Sequence, residues 1–312
     1  MGLFLDVFVP PFGLLLLGAV LKRFLLPADA VWAGIERLVF WALMPALLLS
    51  AIASVDLAAL PLGKMGLAIW LTLLAGAVVS LGLARLFRAD HPATTSVFQG
   101  GIRFNNLMGF AVIGGVFGAG GTALGAVATG LIVPFVQTLT TLVFAFGPVG
   151  GGRISPRRVL RQLLLNPLLL ACVGGFAVAL LGGLPPGVKP LLQSLGQASV
   201  ALGLLCVGAA LSLGALGGRL PLQLATSAVK LLLMPCLALW LGRWFGLDPL
   251  PLAAAVIFMA LPTATTSYVM ARAMGGDAPL MAALTSLEHL LSALTLPCWI
   301  LLLQAMVLRA GP

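Results

Sequence analysis

The feature that most constrains this chain is a series of apolar runs, each about as long as a bilayer core is thick. A helix needs about 20 consecutive apolar residues to cross the hydrocarbon. Ten runs can be read, at roughly 3–21, 31–53, 62–84, 93–118, 121–146, 163–182, 191–214, 222–245, 251–273 and 279–304. Proline and glycine mark nearly every boundary, as expected where backbone leaves lipid. The break between the fourth and fifth runs is the faintest, marked only by Gly118 to Gly121. Only 8% of the 312 residues are charged, against roughly 25% in a soluble domain. So little charge cannot wet a globule of this size, so lipid must solvate most of the surface. The expected fold class is an all-α integral membrane protein.

The formal net charge is +9, but it lies in short loops rather than in a stripe with interleaved aromatics, which excludes a nucleic-acid partner. One set of alternate loops holds Lys22, Arg23, Arg37, Arg85, Arg88, Arg153, Arg157, Arg158, Arg161, Arg219 and Arg272; the other holds Lys64, Lys189, Arg243 and Arg309. The positive-inside rule puts the first set in the cytoplasm. The sequence therefore predicts a multi-pass protein of the bacterial inner membrane with both termini non-cytoplasmic.

The basic stretch 147–162 divides the chain into a first repeat, 1–146, and a second, 163–312, of five spans each. An odd number of spans per half inserts the halves upside-down relative to each other. Inverted repeats of this kind are common in secondary transporters, with the binding site where discontinuous helices meet near the midplane. The fourth span of each half is the unusual one. Span four carries Arg103, Asn105 and Asn106 among Gly109, Gly114 and Gly115; span nine carries Pro262 followed by Thr263, Thr265, Thr266, Ser267 and Tyr268. Proline cannot donate a backbone hydrogen bond, and glycine loosens a helix. Broken backbone at membrane depth needs protein or a water-filled cavity to satisfy it. Two broken helices at matching positions would cross, and their half-helix N-termini would favour an anion there.

Charge inside a span is costly and so faces an interior or a cavity. Glu288 is the carboxylate deepest in a span, with His289 beside it and Lys230 two spans earlier. These residues are expected to form a coupling site or a charge pair, with proton or sodium coupling as the alternatives. Arg103 fits a gating or structural role, or attraction of an anion. Asn105 and Asn106 can offer donors and acceptors to a carboxylate. Gln137 joins the second polar group with Thr263, Thr265 and Thr266. Cys172, Cys206, Cys236 and Cys298 lie in apolar runs and read as small packed hydrophobes, and the two histidines, His91 and His289, lack metal-ligand spacing. No cofactor or metal is expected. No nucleophile triad or phosphate loop points to an enzyme.

These residues resemble the auxin efflux carrier family, which includes the plant PIN exporters and bacterial malonate- or malate-type permeases. The match runs over essentially the whole chain. It rests on Pro45, on Arg103-Phe104-Asn105-Asn106 with Gly109, and on Pro134 with Gln137 after it. Further on it rests on Asn166-Pro167, Lys230, Pro235 and Ala260-Leu261-Pro262. The resemblance implies ten helices in two inverted repeats, with crossed, broken helices in spans four and nine. It also implies a dimer-forming scaffold of spans one, two, six and seven, and a transport domain of spans three to five and eight to ten that moves as an elevator. The family's proline after the span-four glycine is Ala111 here, so that crossing is expected to rest on glycines. The family's asparagine after the span-five proline is Gln137. The function expected is a permease for a small organic anion, a carboxylate, bound at Asn105, Asn106, Gly109, Gln137, Pro262, Thr263, Thr265 and Thr266. The alternative is a channel or solute-sensing membrane module of the same fold.

Overall fold

Capping and proline chemistry set most helix starts. In the computed structural model, which describes residues 2–54, 62–146, 157, 161, 164–211 and 218–309, the side chain of Asp90 accepts from the Ala93 N–H at 3.0 Å and Pro92 follows in the first turn. Asn166 accepts from the Leu168 N–H at 2.9 Å, with Pro167 next. Asp277 accepts from the Leu280 N–H at 3.0 Å. Each carboxylate or amide satisfies a donor that the first turn of a helix leaves orphaned, and a proline in that turn has no N–H to waste.

The described residues form helices and connecting turns, with no strand. In chain order the helices are α1 (Gly2–Phe24), α2 (Asp29–Leu38), α3 (Met44–Ile52), α4 (Leu62–Leu86), α5 (His91–Ile102) and α6 (Asn106–Ala145). Then come α7 (Pro167–Leu180), α8 (Val188–Ala210), α9 (Leu220–Ala228), α10 (Met234–Trp244), α11 (Pro249–Ala260), α12 (Thr266–Met274) and α13 (Ala278–Arg309). The basic linker 147–162 lies outside the described residues apart from Arg157 and Arg161.

Two joints are wide turns of π type, Val39–Leu43 between α2 and α3 and Val229–Leu233 between α9 and α10. Each runs into a Met-Pro pair, Met44-Pro45 and Met234-Pro235. A proline ring clashes with the carbonyl four residues earlier and cannot bond it; a widened turn relieves the clash. The carbonyl freed by Pro235 is that of Leu231, and the Trp299 indole N–H donates to it at 3.0 Å.

Among the described residues six stretches are long and apolar enough to cross a membrane: Asp29–Ile52, Leu62–Leu86, His91–Ala145, Val188–Ala210, Leu220–Trp244 and Ala278–Val307. That is fewer than the ten runs in the sequence. Helix α7 has 14 residues and α11 has 12, and α5 and α6 abut within one stretch. Large apolar side chains point outward along many helices, among them Leu16, Val78 and Leu294 at 68%, 69% and 72% exposure, while Lys230 and Glu288 are fully buried. An apolar exterior around buried charge suits a lipid solvent.

The chain divides into two units. The first comprises Met1–Pro61, Leu107–Val133 and Leu164–Leu211; the second comprises Leu62–Asn106, Pro134–Leu163 and Ser212–Pro312. In the first, Met44, Leu48, Ile52, Phe110, Leu168 and Cys172 form a core. Helices α1 and α8 approach to backbone contact through Gly18, which lies against the Leu205 carbonyl, and Gly208, which lies against the Leu15 carbonyl. A methyl group at either position would strike that oxygen, and small residues of this kind are what let helices in lipid pack closely. In the second unit, Ala84, Val97, Leu222, Leu280, Met281 and Leu284 pack together. There Gly101 lets α5 lie against Ser80 of α4.

Candidate functional site

Both interruptions that give the second unit its polar interior follow helices of 12 residues, α5 and α11. Each of those helices begins after an aspartate, Asp90 or Asp248, with proline in its first turn. Helix α11 ends because Pro262 comes two residues after it. The residue before a proline is pushed out of the helical region, and Leu261 is extended at φ −68°, ψ 146°. Helix α5 ends without a proline: Arg103 still donates its N–H to the Gln99 carbonyl at 2.9 Å, yet its own backbone is extended at φ −76°, ψ 163°. The interruption falls at Arg103–Asn105, before Gly109, Gly114 and Gly115, which all lie in helical backbone. The expectation that those glycines would carry the break is therefore corrected. Glycine matters instead at Gly118, where a second kink takes φ 63° and ψ −148°.

The two interruptions are bonded to each other. The Asn105 N–H donates to the Pro262 carbonyl at 2.8 Å. The Thr263 hydroxyl donates to the Gln99 carbonyl at 3.3 Å, so the last turn of α5 also touches the second interruption. Phe104 and Phe258 meet edge to face beside them, with ring centroids 5.8 Å apart.

Helix α13 holds both interruptions from neighbouring positions. The Thr263 N–H, orphaned by the break, donates to Glu288 Oε2 at 2.8 Å. Next along, the Asn105 side-chain amide lies 3.0 Å from His289 Nε2. His289 Nδ1 is 2.7 Å from the Thr285 carbonyl, which can only accept. The ring therefore carries its proton on Nδ1, and a lone pair on Nε2 receives the Asn105 amide. Asn105, Thr263, Glu288 and His289 are all buried. Gly100 lets α5 close on this group: a methyl there would sit 3.4 Å from Glu288 Oε1.

A second group gathers around Arg103. Its Nη1 donates to Gln137 Oε1 and to Met270 Sδ, each at 3.3 Å, and its Nη2 donates to Thr266 Oγ1 at 3.1 Å. These partners are neutral, and among the described residues no carboxylate lies within 4.0 Å of the guanidinium. Lys230 donates to the Met259 carbonyl at 3.2 Å, in the last turn of α11, and among the described residues no carboxylate lies within 4.0 Å of its ammonium.

Of the residues singled out from the sequence, Arg103, Asn105, Gln137, Pro262, Thr263, Thr266, Glu288 and His289 thus fall into these two bonded groups. Thr265 is half-buried, with its carbonyl accepting from the Tyr268 N–H at 3.0 Å. Asn106 opens α6, and Gly109 lies within α6 in the first unit. One residue escaped the sequence reading. Gln99 is fully buried, and its side-chain amide has no protein partner among the described residues. Its signal was a lone amide in an otherwise small or apolar helix, one turn before Arg103.

Residues 9–300 match the family model described as membrane transport protein. The chain belongs to that family, the auxin efflux carrier family. Among curated relatives, this transporter is 24% identical over 294 residues to an uncharacterized transporter of Methanothermobacter thermautotrophicus, covering 92% of this chain and 94% of the relative. It is 33% identical over 135 residues to a Rhizobium meliloti protein named provisionally as a malonate transporter, covering 40% of this chain and 41% of that protein.

Proposed function

We propose that this transporter is a secondary carrier of a small organic anion, a carboxylate, across the bacterial inner membrane. The observation that carries the reading is the Asn105–Pro262 bond at 2.8 Å. It joins two interruptions, and each opens onto a new helical N-terminus, at Asn106 and at Thr266. Orphan N–H groups and the helix dipole favour negative charge at such ends. Arg103, with neutral partners only, adds a full positive charge beside Thr266. The substrate's carboxylate would dock among Arg103, Asn106, Gln137 and Thr266, with Asn105 and Pro262 fixing the frame. The Rhizobium relative's name is in keeping with such a substrate.

In this reading the ten apolar runs are ten spans in two inverted repeats, and spans four and nine cross at their breaks. The termini face away from the cytoplasm. Spans one, two, six and seven would serve as a scaffold that forms a homodimer, and spans three to five and eight to ten would move as an elevator. The division into units agrees with this for 1–61 and 164–211 in one unit and 62–106, 134–163 and 212–312 in the other, and differs for Leu107–Val133, which it groups with the first. Glu288, with His289 and Lys230 near it, is the candidate for proton or sodium coupling.

The test is flux in proteoliposomes. Labelled malonate should enter saturably, exchange with unlabelled malonate, and lose most of its rate in Asn105→Ala and in Asn106→Ala. Unchanged flux in both variants would remove the site. Flux that rises linearly with concentration would favour a channel, and binding without flux a sensing module.

A further inference from the structure

We propose a second anion site in this protein, a cleft at the end of α4 and the start of α9 that takes the phosphate of an anionic phospholipid headgroup. The cleft holds about 300 Å³ and is lined by Phe87, Arg88, Ala89, Arg219, Pro221 and Leu222. All six belong to the second unit, and none takes part in the two groups described above.

Two observations meet there. The first is charge. Arg88 and Arg219 are the cations of the lining, and a guanidinium matches a phosphate with paired, charge-assisted hydrogen bonds. Among the described residues no carboxylate lies within 4.0 Å of Arg88. Arg219 has one partner, Asp277 Oδ2 at 3.5 Å, and stays half exposed. Asp277 is itself pinned: its other oxygen caps α13, its N–H donates to the Pro92 carbonyl at 3.0 Å, and its carbonyl accepts from Ser96 Oγ at 2.8 Å. It holds Arg219 at the cleft and leaves other N–H groups of the fork available.

The second observation is backbone conformation. Among the described residues, the non-glycine residues with positive φ are these same two, Arg88 at 51° and Arg219 at 53°. Side chains other than glycine, asparagine and aspartate rarely adopt this region. Strain of this kind persists where the surroundings over-determine it and gathers at functional sites. An arginine at both places is poor backbone chemistry, and the side chain is what an arginine offers in return.

The surroundings choose lipid over a free phosphate. Leu86, Phe87, Leu220 and Leu224 are exposed around the cleft. Apolar surface beside cations is the pattern of a bilayer edge, where basic pockets hold lipid headgroups. Both arginines also lie in the loops that the charge asymmetry assigns to the cytoplasmic leaflet.

The experiment reads binding, not flux, so it stands apart from the substrate reading. Purified full-length protein is titrated with phosphatidylglycerol, phosphatidylcholine or inorganic phosphate, following lipid adducts by native mass spectrometry and the melting temperature. A basic side chain near an anionic headgroup contributes roughly fivefold in affinity. Phosphatidylglycerol should therefore bind roughly 30-fold tighter than phosphatidylcholine, with two such side chains engaged. That preference should disappear in Arg88→Gln/Arg219→Gln and persist in the charge-matched control Arg23→Gln/Arg37→Gln. Arg88→Gly/Arg219→Gly relieves the backbone while removing the cations. It should melt no lower than wild type without lipid, and show no lipid preference. Equal binding of the two lipids by the wild type, or a preference retained in either cleft variant that folds, would overturn the site. Inorganic phosphate raising the melting temperature as much as phosphatidylglycerol would overturn the assignment to lipid.

Discussion

At Leu261 the chain leaves the helix because a proline follows; at Arg103 it leaves with no proline near. The interruption after α11 is written into the covalent chain, since Pro262 forbids both the hydrogen bond and the helical conformation before it. The interruption after α5 is held from outside. Its residues are Arg103, Phe104 and Asn105, and what keeps them extended are partners distant in sequence: the Pro262 carbonyl, His289, and the Gln137–Thr266 pair on Arg103. One break has a cause in its own segment as well as partners outside it, and the other rests on its neighbours alone. The first should survive changes around it, and the second should not.

The largest expected effect tests where the α5–α6 break lies. Restoring the family's proline as Ala111→Pro puts it six residues into α6, inside regular helix. It should cost about 3 kcal/mol of stability, read as a lower melting temperature in detergent. A neutral result would mean that the helix is already interrupted there. Asn105→Ala comes next. It leaves His289 Nε2 without its donor and frees the side-chain tie, and a small displacement at a binding site can cost on the order of a hundredfold in rate. Malonate flux in proteoliposomes checks this; a loss under threefold would show that the backbone bond to Pro262 is enough.

Pro262→Ala is expected to be milder. Its carbonyl still accepts from Asn105, and Glu288 still holds Thr263, so flux should fall by roughly tenfold or less, about 1.4 kcal/mol. A complete loss would mean that the ring itself shapes the site. The smallest effect concerns a proline that bends no break. Trp299→Phe removes the donor that serves the Leu231 carbonyl freed by Pro235. An unpaired buried carbonyl costs about 1 kcal/mol or somewhat more, measurable by chemical denaturation, and flux should be unaltered.

The difference between the breaks also explains what could be read in advance. Pro262 announces an interruption from one residue's chemistry, and the polar run after it pointed to the right segment. For the other break, Arg103, Asn105 and Asn106 marked the place, but the glycines that follow drew attention too far along. A glycine permits a bend without requiring one, and of the glycines in α6 only Gly118 takes a positive φ, at 63°. The pairing of Glu288 with Thr263, and of His289 with Asn105, could not be read at all. Those contacts span 25 and 184 residues, and no spacing rule reaches so far. The all-helical class and the apolar exterior, by contrast, follow from composition, because a chain with so little charge has few ways to meet its surroundings.

Glu288 and His289 are consecutive, and successive side chains on a helix point about 100° apart. One short stretch of α13 therefore grips both of the loops that the Asn105–Pro262 bond joins, like a hinge pin through two leaves. Turning or sliding that rod by a single residue would release both loops together, so their alignment is preserved or abandoned as a unit and cannot be adjusted one side at a time.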